Sequence, residues 1–177
     1  MSGSHSEDFE ALALPLLDPL YNFARWLCSD PDEAQDLVQE AFSKALKNFS
    51  SFRQGTNFRA WMFTILRNTF LTSRTGLERR HTSQEDEEDF EDSIAVTENP
   101  ETILIRRAEM ELVQEAITKL PPNFRDVLLL ADLEEMRYQE VADVLGIPIG
   151  TVMSRLARAR KRVKENIVVT LGVKHEL

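Results

Sequence analysis

Six Arg or Lys side chains and no acid lie between Thr151 and Lys164, in a 177-residue chain whose formal net charge is −9. Cations at this density along one segment suit one chemistry: they neutralise phosphates and release the counterions around them. A second stretch has a related character. Ala41 to Leu77 contains no acid, six bases (Lys44, Lys47, Arg53, Arg59, Arg67, Arg74) and seven aromatics (Phe42, Phe49, Phe52, Phe58, Trp61, Phe63, Phe70). Cations along a backbone with aromatic stacking surfaces hold single-stranded nucleic acid. The alternative, that the aromatics are core, applies to Phe42 and Phe49, which lie on an apolar stripe. Asn57, Arg59, Arg67 and Asn68 beside that stripe suit base or phosphate contact.

A third cluster has the opposite sign. "DPDEAQDLVQE", Asp30 to Glu40, presents Asp32, Glu33, Asp36, Gln39 and Glu40, which repel DNA. Compensation of a helix dipole accounts for Asp32 and Glu33. Asp36, Gln39 and Glu40 sit deeper and predict a face that contacts protein. Nothing reads as a reactive centre. His5, His81 and His175 are scattered, and the single Cys28 shares a helical face with Phe23, Ala24 and Leu27, as a buried thiol does. There is no phosphate loop, metal-ligand spacing or nucleophile–base pair, so neither enzyme nor cofactor nor metal is expected.

The elements that position these residues are helical throughout. Asp30 and Pro31 read as N-cap and first residue of a helix, with Glu33 closing a capping-box-like arrangement. Ala34, Leu37, Val38, Ala41, Phe42, Ala45, Leu46 and Phe49 then fall on one face. Asp18-Pro19 starts an earlier helix to about Cys28, and a later one runs from about Asn57 to Arg74, ended by Gly76. Pro100 opens a helix to about Lys119, Pro121-Pro122 opens another to about Leu133, and a short one spans about Tyr138 to Leu145. With no strand alternation, the fold class is all-α: two small helical domains joined by a flexible acidic linker. The divisions are an N-terminal extension (1–14), a first domain (15–80), the linker (81–101), a second domain (102–170) and a tail (171–177). Residues 82–101 carry nine acids and no base, which accounts for the whole charge excess. Like charges and scarce apolar surface keep such a segment extended. Its ~20 residues at ~3.3 Å each reach ~65 Å. The first residues lack a basic, apolar leader pattern, and the longest apolar run, Val127 to Ala131, is far short of a membrane span. A soluble cytoplasmic protein without membrane insertion is expected.

In "YQEVADVLGIPIGTVMSRLARARKRV", Val141, Ala142 and Leu145 form the inner face of one helix. Val152, Leu156, Ala159 and Val163 form that of the next, and Gly146 supplies the turn between them. This is a helix-turn-helix pattern, whose second helix enters the major groove by its N-terminal residues. Gly150, Met153, Ser154, Ala157 and Arg158 then face base edges, the small Gly150 and Ala157 allowing close approach. Arg158 is the best candidate for bidentate guanine readout. Arg155, Arg160, Lys161, Arg162 and Lys164 lie toward phosphates. An amphipathic surface helix is the competing reading, but such helices usually mix both signs.

Together these residues resemble the sigma-70 family of bacterial transcription initiation factors, in its small extracytoplasmic-function group. "DEAQDLVQEAFSKAL" is similar to region 2.2, "FRAWMFTILRNTF" to regions 2.3–2.4, and "LPPNFRDVLLLADLEEMRYQEVADVLGIPIGTVMSRLARAR" to region 4. The resemblance implies a dissociable subunit of core RNA polymerase. Asp36, Gln39 and Glu40 would dock on the clamp helices of the polymerase's largest subunit, and region 4 on the flap of the second-largest. Asn57, Arg59, Trp61, Arg67 and Asn68 would lie at the −10 element of promoter DNA, holding unpaired bases. The helix from Thr151, through Gly150, Met153, Ser154, Arg155, Ala157, Arg158 and Lys161, would read the −35 element. An anti-sigma factor is also expected. Met153 stands where relatives often carry a base, and "TFLTSRTGL" lacks the dense basic run common after region 2.4. A stand-alone helix-turn-helix regulator would explain the second domain alone, and a protein-binding adaptor would show no promoter dependence. The acidic run Glu85 to Asp92 could also fold onto the basic helix and suppress DNA binding.

Overall fold

The computed structural model describes residues 2–77 and 99–175, so the acidic run Glu85 to Asp92, which could fold onto the basic helix, lies outside the described residues. All regular structure among them is helical: α1 Ser2–Ala13, α2 Leu17–Leu27, α3 Pro31–Asn48, α4 Phe58–Leu77, α5 Pro100–Thr118, α6 Pro122–Leu128, α7 Tyr138–Leu145 and α8 Ile149–His175. Short 3-10 turns follow α1 and α3, and a π-turn, Leu129–Leu133, extends α6. None of these helices is long and apolar enough to cross a membrane. The chain divides into two compact units.

In the first unit α3 is the central element, packed against α2 and α4. Asp30 caps it as expected, its carboxylate accepting from the Asp32 amide at 3.0 Å. Glu33 makes an ion pair with Arg74 of α4 (3.6 Å). Ala34, Ala41 and Ala45 are fully buried, and side chains this small allow neighbouring helices to approach closely. Leu20, Phe23 and Ala24 of α2 and Met62, Phe63 and Leu66 of α4 complete the core, with the Phe23 and Phe63 rings 5.5 Å apart. Cys28 is buried as expected, and burial pushes its thiol pKa up to about 12. Leu46, expected on the buried stripe, is 46% exposed, and Phe42 is half-buried.

Three boundaries differ from the sequence expectation. Asp18 lies inside the first turn of α2, where it offsets the dipole without capping. Asn57 caps α4 by accepting from the Ala60 amide (3.0 Å), and Gly76 is absorbed into the last turn. The supposed extension is itself helix α1, which buries Phe9 and Ala13, one turn apart. Phe9 meets Phe42, Phe49 and Phe58 edge-on at ring separations of 6.4, 5.4 and 6.1 Å. The aromatic cluster continues through Phe52 and Trp61, whose centroids are 5.0 Å apart.

In the second unit α8 packs against α5 and α6. Asn99 caps α5, and Arg125 donates to the carbonyls of Thr118 (2.6 Å) and Leu120 (2.9 Å), satisfying acceptors left over where α5 ends. Val127 to Leu130 are buried along α6 and its π-turn. The chain then reverses at Glu135 (φ +51°), where the Met136 amide donates to Leu130 O at 3.0 Å. Glu140 starts α7 by accepting from the Arg137 amide at 2.8 Å, half of a capping box. Replacing Phe9 with Ala is expected to destabilise the first unit by about 3 kcal/mol, the usual cost of emptying a buried aromatic site. Urea unfolding of the full chain measures it; an unchanged midpoint would show that α1 contributes no core.

Candidate nucleic-acid interface

The candidate interface on α8 is preceded by a turn. Gly146 ends α7 in the left-handed region (φ +64°), where a Cβ is disfavoured. Pro148 then serves as N-cap of α8 through its carbonyl, which accepts from the amides of Thr151 (2.9 Å) and Val152 (3.1 Å). Val141 and Ala142 of α7 are buried, together with Val144, while Leu145 is half-buried. Val152, Leu156 and Ala159 of α8 are almost completely buried, and Val163 is half-buried.

That buried stripe fixes what α8 presents outward. At 100° per residue, the centre of the opposite side is Gly150, Ser154, Ala157 and Lys161, spaced i, i+4, i+7, i+11. All four are exposed, and Met153 and Arg158 flank them, also exposed. Thr151 and Arg155 are half-buried at the edge of this face. The Ser154 hydroxyl donates to the Thr151 carbonyl at 3.1 Å, which leaves its lone pairs for a partner. Among the described residues, nothing beyond Gly150's chain neighbours and its own helix backbone lies within 4 Å of where a Cβ would stand. The centre of the face is therefore small side chains followed by one long cation, a profile that fits a groove floor with phosphates beyond it.

The six cations of the opening stretch divide by role. Lys161 is 78% exposed, with only a loose approach to Glu165 at 4.0 Å. Arg160 and Arg162, expected at phosphates, have protein partners. Arg160 grips Asp132 of the π-turn with both arms of its fork, Nε to Oδ2 at 2.9 Å and Nη2 to Oδ1 at 2.6 Å. The Asp132 hydrogen bond, with Tyr138 adding to it, holds the Arg160 pKa above its ordinary value. Arg162 lies over the Phe124 ring, 4.8 Å from its centroid. Sequence reasoning missed Asp132, because a contact between residues 28 positions apart leaves no local pattern.

In the first unit the expected residues separate into two groups. Asn57, Trp61 and Asn68, spaced i, i+4, i+11, lie on the outer side of α4. Arg59 and Arg67 flank the buried Phe63 one turn to either side and are half-buried; the Arg59 cation lies 5.6 Å from the Phe63 ring centroid. Trp61 is half-buried beside Phe52 and Phe58. Phe49, Phe52 and Phe58 bind one another and Phe63 is fully buried, so these rings are largely committed to packing. Asn68 borders a shallow groove of about 190 Å³ with Lys44, Asn48, Ile65, Thr69 and Thr72. On α3, Asp36, Gln39 and Glu40 are exposed together, and Glu40 pairs with Lys44 at 2.9 Å. The exposed Leu46, seven residues after Gln39, extends this face; its apolar type had assigned it to the core.

Comparison with known proteins finds relatives for both parts of the chain. Residues 12–80 match the family described as Sigma-70 region 2, and residues 110–163 match Sigma-70, region 4. The ECF RNA polymerase sigma factor EcfG of Rhodopseudomonas palustris is 35% identical over 156 residues, 88% of this chain and 83% of the relative. The ECF RNA polymerase sigma-E factor of Escherichia coli is 33% identical over 141 residues, 76% of this chain and 74% of the relative. Among solved structures, the sigma factor RpoE of Bartonella quintana, in complex with the anti-sigma factor NepR, is similar with a TM-score of 0.75. It is 29% identical, and the match covers 92% of this chain and 98% of that one.

The packing leads to a discriminating substitution. Gly150→Ala meets no side chain among the described residues and is expected to leave the fold as stable or slightly more so, yet to weaken binding to cognate duplex by crowding the groove. Arg158→Ala should weaken binding in a sequence-dependent way, by about 1–3 kcal/mol on the matched site. Lys161→Ala should weaken it uniformly and flatten the salt dependence. Titration of matched and scrambled duplexes over a salt series measures all three; equal losses on both DNAs for every variant would defeat the assignment.

Proposed function

Because the chain belongs to the sigma-70 family, within its extracytoplasmic-function group, we propose that its two units divide promoter recognition residue by residue as follows. The protein is a sigma factor that directs promoter recognition for transcription initiation. The outward face of α8 reads the −35 element: Gly150, Met153, Ser154, Ala157 and Arg158 toward base edges, Thr151 and Arg155 at the edge of the face, Lys161 toward phosphate. Asn57, Trp61 and Asn68 meet unpaired bases of the −10 element, with Arg59 and Arg67 beside Phe63 supplying positive charge near the strand.

Melting needs no bond making by this chain. Binding extruded bases offsets an unstacking cost of a few kcal/mol, and core polymerase holds the rest of the opened duplex. Asp36, Gln39 and Glu40, with the exposed Leu46 at the edge of their face, contact the clamp helices of the polymerase's largest subunit. Carboxylates and an amide around one apolar side chain suit a protein partner and oppose DNA. Region 4 contacts the flap of the second-largest subunit. The chain acts in the cytoplasm, where polymerase is. The Bartonella quintana sigma factor was solved with an anti-sigma factor, which supports an antagonist of that kind here.

The observation that carries this reading is the opposition on α8 of a buried Val152–Leu156–Ala159 stripe to an exposed Gly150–Ser154–Ala157–Lys161 face. Run-off transcription with core polymerase tests it. Product is expected only when the chain and core are both present, with a loss of about tenfold or more when the −35 element is scrambled, the size of one to two lost base contacts. Duplex binding by the chain alone, with no co-purification with core and no transcript, would identify a stand-alone regulator instead.

A further inference from the structure

The Asp132–Arg160 pair does something the sigma-factor reading does not require. Arg160 lies among Arg158, Lys161 and Lys164, and its charge suits it to the phosphates they approach. Its direction differs: three residues after Ala157, it sits nearer the buried stripe than the outward face and closes both arms on one carboxylate. Planar two-point pairing of this kind fixes orientation as well as distance. Arg162, on the other flank of α8, lies over Phe124 at the start of α6, while Asp132 lies in the π-turn at its end. The two arginines thus hold α8 to α6 from both sides.

We infer that Arg160 and its partner Asp132 are positioning residues for −35 reading, setting the rotation of α8 about its own axis so that Gly150, Ser154 and Ala157 face the groove floor. This rests on the assignment of α8 to the −35 element. The apolar stripe alone leaves some rotational freedom, since Val152 and Ala159 present short side chains on either side of Leu156. A few degrees of roll would move Arg158 off its base edge while leaving the fold intact. The pair is partly exposed, with side-chain accessibilities of 51% for Arg160 and 36% for Asp132, so its effect on overall stability is small. Its effect is on register. Tyr138, at the start of α7, adds to the hold on the Arg160 charge, linking the same point to the first helix of the helix-turn-helix.

The test is binding of full-length chain, assembled with core polymerase, to matched and scrambled −35 duplexes over a salt series, for Arg160→Lys, Arg160→Ala, Asp132→Ala and the double variant Asp132→Ala with Arg160→Ala. Lysine keeps the charge but lacks the fork. Each single variant, Arg160→Lys included, is expected to lower the matched-to-scrambled ratio by about fivefold, the size of a well-formed surface pair. The salt slope should stay unchanged, and the double variant should be no worse than either single. If Arg160 were a phosphate contact, Arg160→Lys would behave as wild type, Arg160→Ala would reduce the salt slope by about one, and Asp132→Ala would tighten binding to both duplexes. That pattern overturns the inference, as does an equal loss on both duplexes with a lowered melting temperature. A wild-type assembly that binds both duplexes alike would overturn the −35 reading itself, and the inference with it; a discriminating wild type confines any failure to Arg160 and Asp132.

Discussion

Burial of Val152, Leu156 and Ala159 is the constraint on which the proposed −35 reading depends. A helix has one rotational degree of freedom once its axis is fixed; removing an apolar stripe from water confines it to a narrow range, within which the Asp132–Arg160 pair selects. At roughly 1.5–3 kcal/mol for each large aliphatic side chain buried, Val152 and Leu156 outweigh any single polar contact on the opposite side. What is left outward, and proposed to face DNA, is what remains: small residues at the centre, Arg158 and Met153 beside them, Lys161 beyond. On the proposed reading, specificity follows from core packing, carried by a side of the helix that is exposed among the described residues.

The same logic organises the first unit. Ala34, Ala41 and Ala45 leave room for α2 and α4 on one side of α3, which leaves Asp36, Gln39, Glu40 and Leu46 facing outward. Charge is then sorted by partner. Acid stands on the α3 face proposed to meet protein; bases and amides stand on α4 and α8, the elements proposed to meet nucleic acid. The −9 total obscures this, because it averages an acid-rich segment with two nearly neutral units. What a phosphate meets is local charge.

Much of this was legible in the sequence, for a physical reason: short-range chemistry sets most of these boundaries. Asp30-Pro31 and Pro100 start helices where cap chemistry requires, and α7 runs from Tyr138 to Leu145 as its apolar spacing predicts. The unread parts are long-range. Helix α1 carries few apolar residues in "SGSHSEDFEALA", and its place in the core depends on Phe9 meeting rings from three other segments. Leu46 reads as core by type and is exposed by geometry. Arg160 and Arg162 read as phosphate ligands by charge; their partners, Asp132 and Phe124, are visible only once α6 lies beside α8. Asn57, read as a base contact, also serves as a helix cap, a role its position before Phe58 could have suggested.

The central claim, that helix packing selects the residues that read the −35 element, is tested most directly by thiol protection along α8. Single cysteines are introduced in turn at positions 150, 153, 154, 157, 160, 161 and 162, and their alkylation rates are compared with and without matched duplex in the polymerase assembly. Native Cys28, buried and with its thiol pKa pushed up to about 12, should stay silent throughout. Protection is predicted at 150, 153, 154, 157 and 161, with none at 160 or 162. Protection strongest at 160 and 162, with 154 and 157 left reactive, would mean that a different side of α8 meets DNA and would contradict the account.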